Sequence, residues 1–198
     1  MDIMKPKRGN SIKNSSLRRL ARVYVLSAAV LLLMCTAALS QSQKEIEYRF
    51  KAVYMLNFLQ FMEWPDSAFE NDQSPIIISV VGDDPFGNIL DETFRNEKFN
   101  GHPVMLTRFH SINEAGKSHI MFIGTSEKNI STEVLKRLSE ASVLTISDLD
   151  HFGTMGGGIG FYIEQNKVRF EINLNALKQG DLKASSKLLR LARIVNPS

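Results

Sequence analysis

The sequence predicts a three-layer α/β domain whose sheet carries an antiparallel C-terminal hairpin at its edge. Three observations lead there. Ile76-Ile77-Ile78-Ser79-Val80-Val81 is an uninterrupted apolar, largely β-branched run, as a strand covered on both faces requires. Shorter runs of the same kind alternate downstream with helical patterns, which implies parallel pairing. Finally, Gln165-Asn166 separates two alternating segments, the signature of a tight hairpin.

Taken in order, the first element is an export leader. Lys5, Lys7, Arg8, Lys13, Arg18, Arg19 and Arg22 precede an uncharged run, Val23–Leu39, broken only by Ser27 and Thr36, and Ala38-Leu39-Ser40 follows. Basic, apolar and small residues in that order read as a signal peptide over residues 1–40, cleaved after Ser40. The apolar run also reaches the short limit of a membrane span, so an uncleaved anchor to the inner membrane is the alternative. Either way residues 41–198 form one domain across the membrane. Cys35 lacks the small preceding residue of a lipoprotein site, since Met34 stands there.

Cutting the leader changes the chemistry that remains. The whole chain has 24 Lys+Arg and 21 Asp+Glu with an alkaline pI, yet residues 41–198 hold 17 cations against 20 carboxylates, a net charge of −3. The basic character belongs to the leader and gives no argument for nucleic acid. Cys35 is the only cysteine, so thiol catalysis, disulfides and Cys-based metal sites are excluded from the exported part.

Residues 45–64 read as a helix with more apolar surface than one stripe: Ile46, Phe50, Val53, Tyr54, Leu56, Phe58, Leu59, Phe61 and Met62. Such a helix is buried on several sides or keeps an apolar face for a partner; core burial is the default. Pro65 ends it. After the first strand, Gly82-Asp83-Asp84-Pro85-Phe86-Gly87 leads into a helix over 88–96. Strands follow at 104–109 and 119–123, and Thr125-Ser126 can cap what comes next. A helix at 131–141, a strand at 143–146, the hairpin strands 159–164 and 167–173, and a closing helix from about 185 to 195 complete the pattern. That last helix turns Leu188, Leu191, Ala192 and Val195 inward and Lys187, Arg190 and Arg193 outward.

Candidate sites are few. The Gly82–Gly87 turn stands where a dinucleotide cradle would, but Asp83 and Asp84 would repel a phosphate, so a simple turn opening a helix is the better reading. Met155-Gly156-Gly157-Gly158-Ile159-Gly160 precedes a strand rather than a helix, and reads as a flexible loop or bulged strand entry, with a ligand- or partner-gated loop as the functional alternative. His102, His110, His119 and His151 lie 8, 9 and 32 residues apart and form no zinc motif. Asp148, Asp150 and His151 could make an acid/base group, though such clusters usually solvate a loop. A small-ligand pocket, if present, falls at the C-terminal strand ends near Asp83, Asp84 and Asp148. The partner surface is assigned to Phe58, Phe61, Met62 and Trp64 with Gly156, Gly157 and Gly158. No catalytic residue, metal or cofactor is assigned.

Several motifs carry a resemblance. Phe50-Lys51-Ala52-Val53-Tyr54, Asn57-Phe58, Glu63-Trp64-Pro65, Val80-Val81-Gly82-Asp83-Asp84-Pro85-Phe86-Gly87, Phe122-Ile123-Gly124 and Val143-Leu144-Thr145-Ile146 stand in this order. Val168-Arg169-Phe170-Glu171-Ile172-Asn173-Leu174 and Ser185-Ser186-Lys187-Leu188-Leu189-Arg190-Leu191-Ala192-Arg193 close the series. Together they resemble the YfiR-like family across nearly all of residues 41–198. The resemblance implies a periplasmic Rossmann-like regulator without enzymatic activity, which binds the periplasmic domain of a membrane-bound diguanylate cyclase and lowers cyclic-di-GMP synthesis. It also implies sequestration by an OmpA-like outer-membrane lipoprotein, and a homodimer. A periplasmic small-ligand sensor or transport accessory is the alternative function. The family's namesake has cysteine pairs that residues 41–198 lack, so redox control does not carry over.

Overall fold

The computed structural model describes residues 41–195; the leader assignment lies outside them. The architecture below is that of the compact unit beginning at Ile46. Helix α1 occupies described residues through 61. It is followed by β1 (Met62–Glu63), β2 (Ile76–Val81), α2 (Asn88–Thr93), β3 (Lys98–Phe99), β4 (His102–Phe109) and β5 (Ile120–Ile123). Then come α3 (Thr132–Glu140), β6 (Leu144–Ser147), β7 (Ile159–Glu164), β8 (Lys167–Asn173), α4 (Leu174–Gln179), β9 (Lys183–Ala184), α5 (Ser186–Leu189) and β10 (Arg193–Val195).

The main sheet runs β10-β8-β7-β6-β5-β2-β4-β3. Its five parallel strands, β4-β2-β5-β6-β7, follow the chain order 2-1-3-4-5 of a doubly wound fold. The predicted α/β class therefore holds, with β7 and β8 joined by a hairpin whose Gln165 and Asn166 both take positive φ, as a two-residue turn matched to strand twist needs. The hairpin sits one strand in from the edge, because β10 adds parallel to β8, pairing Ile194 with Ile172.

Strand alternation splits the core in two. On one face Ile78, Val80, Ile120, Phe122, Leu144, Ile146, Ile159, Phe161, Phe170 and Ile172 pack with α1, Leu90 and Leu177. On the other, Val81, Met121, Ile123 and Val143 pack with Leu135 of α3 and with Phe152. Helix α1 is fixed to the first face by buried positions at three- and four-residue spacing, Tyr48, Lys51, Met55 and Phe58. Phe58 stacks on Phe161 and meets Phe170 edge-on, at 5.8 Å and 5.0 Å between ring centres. Full burial of one such side chain stabilises by about 2–3 kcal/mol.

Three local expectations are corrected. The first helix stops at residue 61, because Met62 and Glu63 pair with Ala184 and Lys183 as a second, two-stranded sheet. Helix α3 is capped by Ser131, whose Oγ accepts from the Val134 N–H, and not by Thr125-Ser126. The closing helix lasts one turn, Ser185 capping it. Ile194 and Val195 then join β10, and Leu191, expected inside, is 70% exposed. A strand edge with free hydrogen-bonding groups outweighed a weak helical periodicity there.

Candidate functional site

In a doubly wound sheet of this order, ligands bind beyond the C-terminal strand ends where the succession reverses, here between β2 and β5. The chain itself bridges that crevice. Ser126, just past β5, turns its hydroxyl onto the loop after β2 and accepts the Asp83 N–H at 2.8 Å. Gly124 lies so close beneath that a Cβ would run into the Asp83 carbonyl.

The three aspartates of the predicted ligand set have separate surroundings. Asp83 is exposed. Asp84 is taken by the turn: Oδ1 accepts the Phe86 N–H at 2.8 Å, and Oδ2 accepts Arg108 Nε at 2.8 Å. Arg108 also donates to Asp91 and the Gly87 carbonyl, at 2.6 Å and 3.0 Å, and the two carboxylates, Asp91 first, raise its pKa further. This guanidinium staples the β2–α2 turn to the end of β4.

Asp148, past the end of β6, belongs to a cluster that the sequence reading missed. Lys51 is only 2% exposed and pairs with Asp148 at 2.7 Å and with Glu47 one helical turn earlier. The Tyr48 hydroxyl donates to the same Asp148 oxygen at 2.7 Å, and the Lys51 ammonium lies 4.2 Å from the Tyr48 ring centre. Burial, and then the Asp148 carboxylate, push the Tyr48 phenol far above its ordinary range, so the hydroxyl stays a donor. Asp148 Oδ1 is buried with no protein hydrogen-bond partner. The signal was available: a lysine at an apolar stripe position of a helix is an anomaly that demands a buried anion.

The predicted partner set divides by burial. Phe58, Met62 and Trp64 are core residues, and Phe61 is half-buried. Partner contact by the first three would require opening the core. What α1 presents outward is Ile46, Phe50 and Val53, with Phe50 58% exposed. The glycine loop is packed rather than loose. Gly157 is buried against Phe152, where a Cβ would strike the ring, and the Gly158 N–H donates to Thr145 Oγ1 at 2.9 Å. Gly156 alone of the three is partly accessible.

The closing motifs meet in one interlock. Glu171 of β8, buried, accepts the Gly153 N–H at 3.1 Å through Oε1 and Arg193 of β10 at 2.5 Å through Oε2. The Arg193 guanidinium also lies 4.0 Å from the Tyr162 ring centre. Glu171, with its desolvation offset by these donors, ties the edge strand, the hairpin and the glycine loop together. Among the described residues, no cluster of three or more His, Cys, Asp or Glu could hold a metal ion, and no helix is long and apolar enough to cross a membrane.

Fold and surfaces define a doubly wound α/β domain whose reversal-point crevice is bridged by a Ser126–Asp83 hydrogen bond and whose first helix keeps an apolar outward stripe. The chain matches the profile of the YfiR/HmsC-like family over residues 48–193, and it belongs to that family. Family membership indicates a periplasmic regulatory protein linked to diguanylate cyclase control. No curated protein matches the chain.

Proposed function

We propose that the chain is a periplasmic inhibitor of an inner-membrane diguanylate cyclase, and that it grips the cyclase's periplasmic domain through the outward stripe of α1. The observation behind this is the exposure of Ile46, Phe50 and Val53 on a helix whose opposite face is core. Their spacing places them on one side of the helix, and contiguous exposed apolar residues mark interaction surfaces more than scattered ones do. Phe61 and Gly156, the accessible members of the predicted set, serve as secondary contacts. Cleavage after Ser40 leaves the regulator diffusible. Binding lowers cyclic-di-GMP by favouring the inactive cyclase, and a hundredfold bias needs about 3 kcal/mol of differential affinity. An OmpA-like outer-membrane lipoprotein, or a second copy of the chain, competing for the same stripe would release the enzyme.

The test is a Phe50→Glu/Val53→Glu double variant. Both side chains are exposed, so its circular dichroism and melting should match the parent. It should fail to capture the cyclase from solubilised membranes and should raise cyclic-di-GMP as deletion of the gene does. Full repression by the double variant would sink the reading.

A further inference from the structure

The segment between β1 and β2 is fastened at the N-terminal end of the sheet by a ring stack. Phe69 lies between the imidazoles of His102 and His119, with ring centres 4.3 Å and 4.8 Å away and planes within 21° and 24°. The same imidazoles hold the segment's backbone. His102 Nδ1 is 2.6 Å from the Ser74 carbonyl, and His119 Nε2 is 3.2 Å from the Ala68 carbonyl. A carbonyl only accepts, so each of these nitrogens carries its hydrogen. His119 has one more bond: the Ile77 N–H donates to its Nδ1 at 2.9 Å. A backbone amide only donates, so Nδ1 must keep its lone pair and the buried ring must be neutral.

The surroundings agree. Burial chiefly holds the His119 pKa below the ordinary imidazole value, the Ala68 carbonyl opposes this, and Lys117 and His102 add to the depression. Those two are the titratable groups that face the ring, from the segment before β5 and from β4. Lys117 is itself paired with Glu70 at 3.1 Å. From the α1 side comes Trp64, uncharged, whose indole N–H donates to the His119 carbonyl at 3.3 Å.

We propose that this stack is an acid-release clamp: protonation of His119 sets a new Nδ1–H against the Ile77 N–H and charges a buried ring, so the ring leaves its seat, gives up the Phe69 stack and the Ala68 carbonyl, and residues 64–75 loosen from the sheet end and uncover Trp64 and Phe69. A periplasmic protein meets the pH of its surroundings, and the clamp converts a fall in that pH into a newly exposed aromatic surface. The inference rests on the clamp geometry alone and stands apart from the partner reading of α1.

Trp64 is the only tryptophan, so its fluorescence reports the event in the whole chain. Between pH 8 and pH 5 the emission should shift to the red, with the change setting in below about pH 6.5. Hydrogen-exchange protection of residues 64–77, corrected for intrinsic rate, should fall by up to about tenfold per pH unit in that window, while α3 keeps its protection. His119→Asn offers the Ile77 N–H an acceptor that cannot be protonated, so its emission should not change with pH. His110→Gln and His151→Gln should retain the transition. Flat wild-type emission and protection, or a transition that survives His119→Asn unchanged, overturns the proposal. If the Asn variant does not fold, wild-type exchange decides: loss confined to 64–77 supports the clamp, and equal loss in α3 overturns it.

Discussion

The two ends of the sheet solve the same problem in opposite ways. At the C-terminal end, Lys51, Asp148 and Glu47 are buried or half-buried as charges, and each charge is answered by another. At the N-terminal end, His119 is buried as a neutral ring, its nitrogens committed to one donor and one acceptor of the backbone. A cluster of paired ions tolerates desolvation as long as every partner is present. A neutral titratable group tolerates it only while the pH leaves it neutral. Mutation should therefore break the first end, and acid the second.

The largest effect expected is at the ionic end. Asp148→Ala leaves the Lys51 ammonium buried with only Glu47, and should cost about 3–5 kcal/mol in urea denaturation. Lys51→Met/Asp148→Leu, which removes both charges, should recover most of that loss. If the double variant is as unstable as the single one, packing rather than charge holds this end.

Acid comes next. The folded-state pKa of His119 is depressed, so the unfolded chain takes up the proton first as pH falls. Stability is complete above about pH 6.5 and declines below it until the folded pKa is reached, by about 1.4 kcal/mol for each unit of depression. Urea midpoints across pH 8 to 5 read this directly, and His119→Asn should flatten the curve. Asp148→Asn should retain the His119 slope, since the two ends share no partner.

Smaller changes sharpen the contrast. Tyr48→Phe removes one donor from Asp148 and keeps the ring against Phe86, 5.2 Å away, so about 1–2 kcal/mol should be lost. Ser131→Ala, far from both clusters in role, removes only the α3 cap and should cost about 1 kcal/mol. A loss equal to that of Asp148→Ala would show that a cap matters as much as the ion cluster.

Legibility in the sequence followed the range of the interaction concerned. Ile76–Val81 announced a doubly covered strand because its neighbours on both faces demand nothing but apolar bulk. The Gln165-Asn166 turn was equally plain, since its geometry is local. Ser126 looked like a helix cap because nothing nearby reveals that its hydroxyl serves Asp83, 43 residues earlier. Leu191 kept helical spacing with Leu188, yet the free edge of β8 claimed the chain two residues later. Phe58 and Phe50 were equally apolar in sequence, and only the sheet decided which would be core and which would face outward. Lys51 on the buried stripe was the one long-range clue written in local terms, and His119 was readable only as a histidine at the start of a strand.

Helix α1 has a further consequence, in time rather than in space. Its buried lysine and tyrosine find their carboxylate 97 and 100 residues downstream, and its aromatic face waits for β7 and β8, which come later still. A chain emerging N-terminus first must carry its most apolar helix unpaired until most of the domain has been delivered. Contacts of such long sequence separation slow folding and prolong the exposure of sticky surface. The helix that anchors the finished domain is thus the segment in greatest need of a chaperone during its delivery.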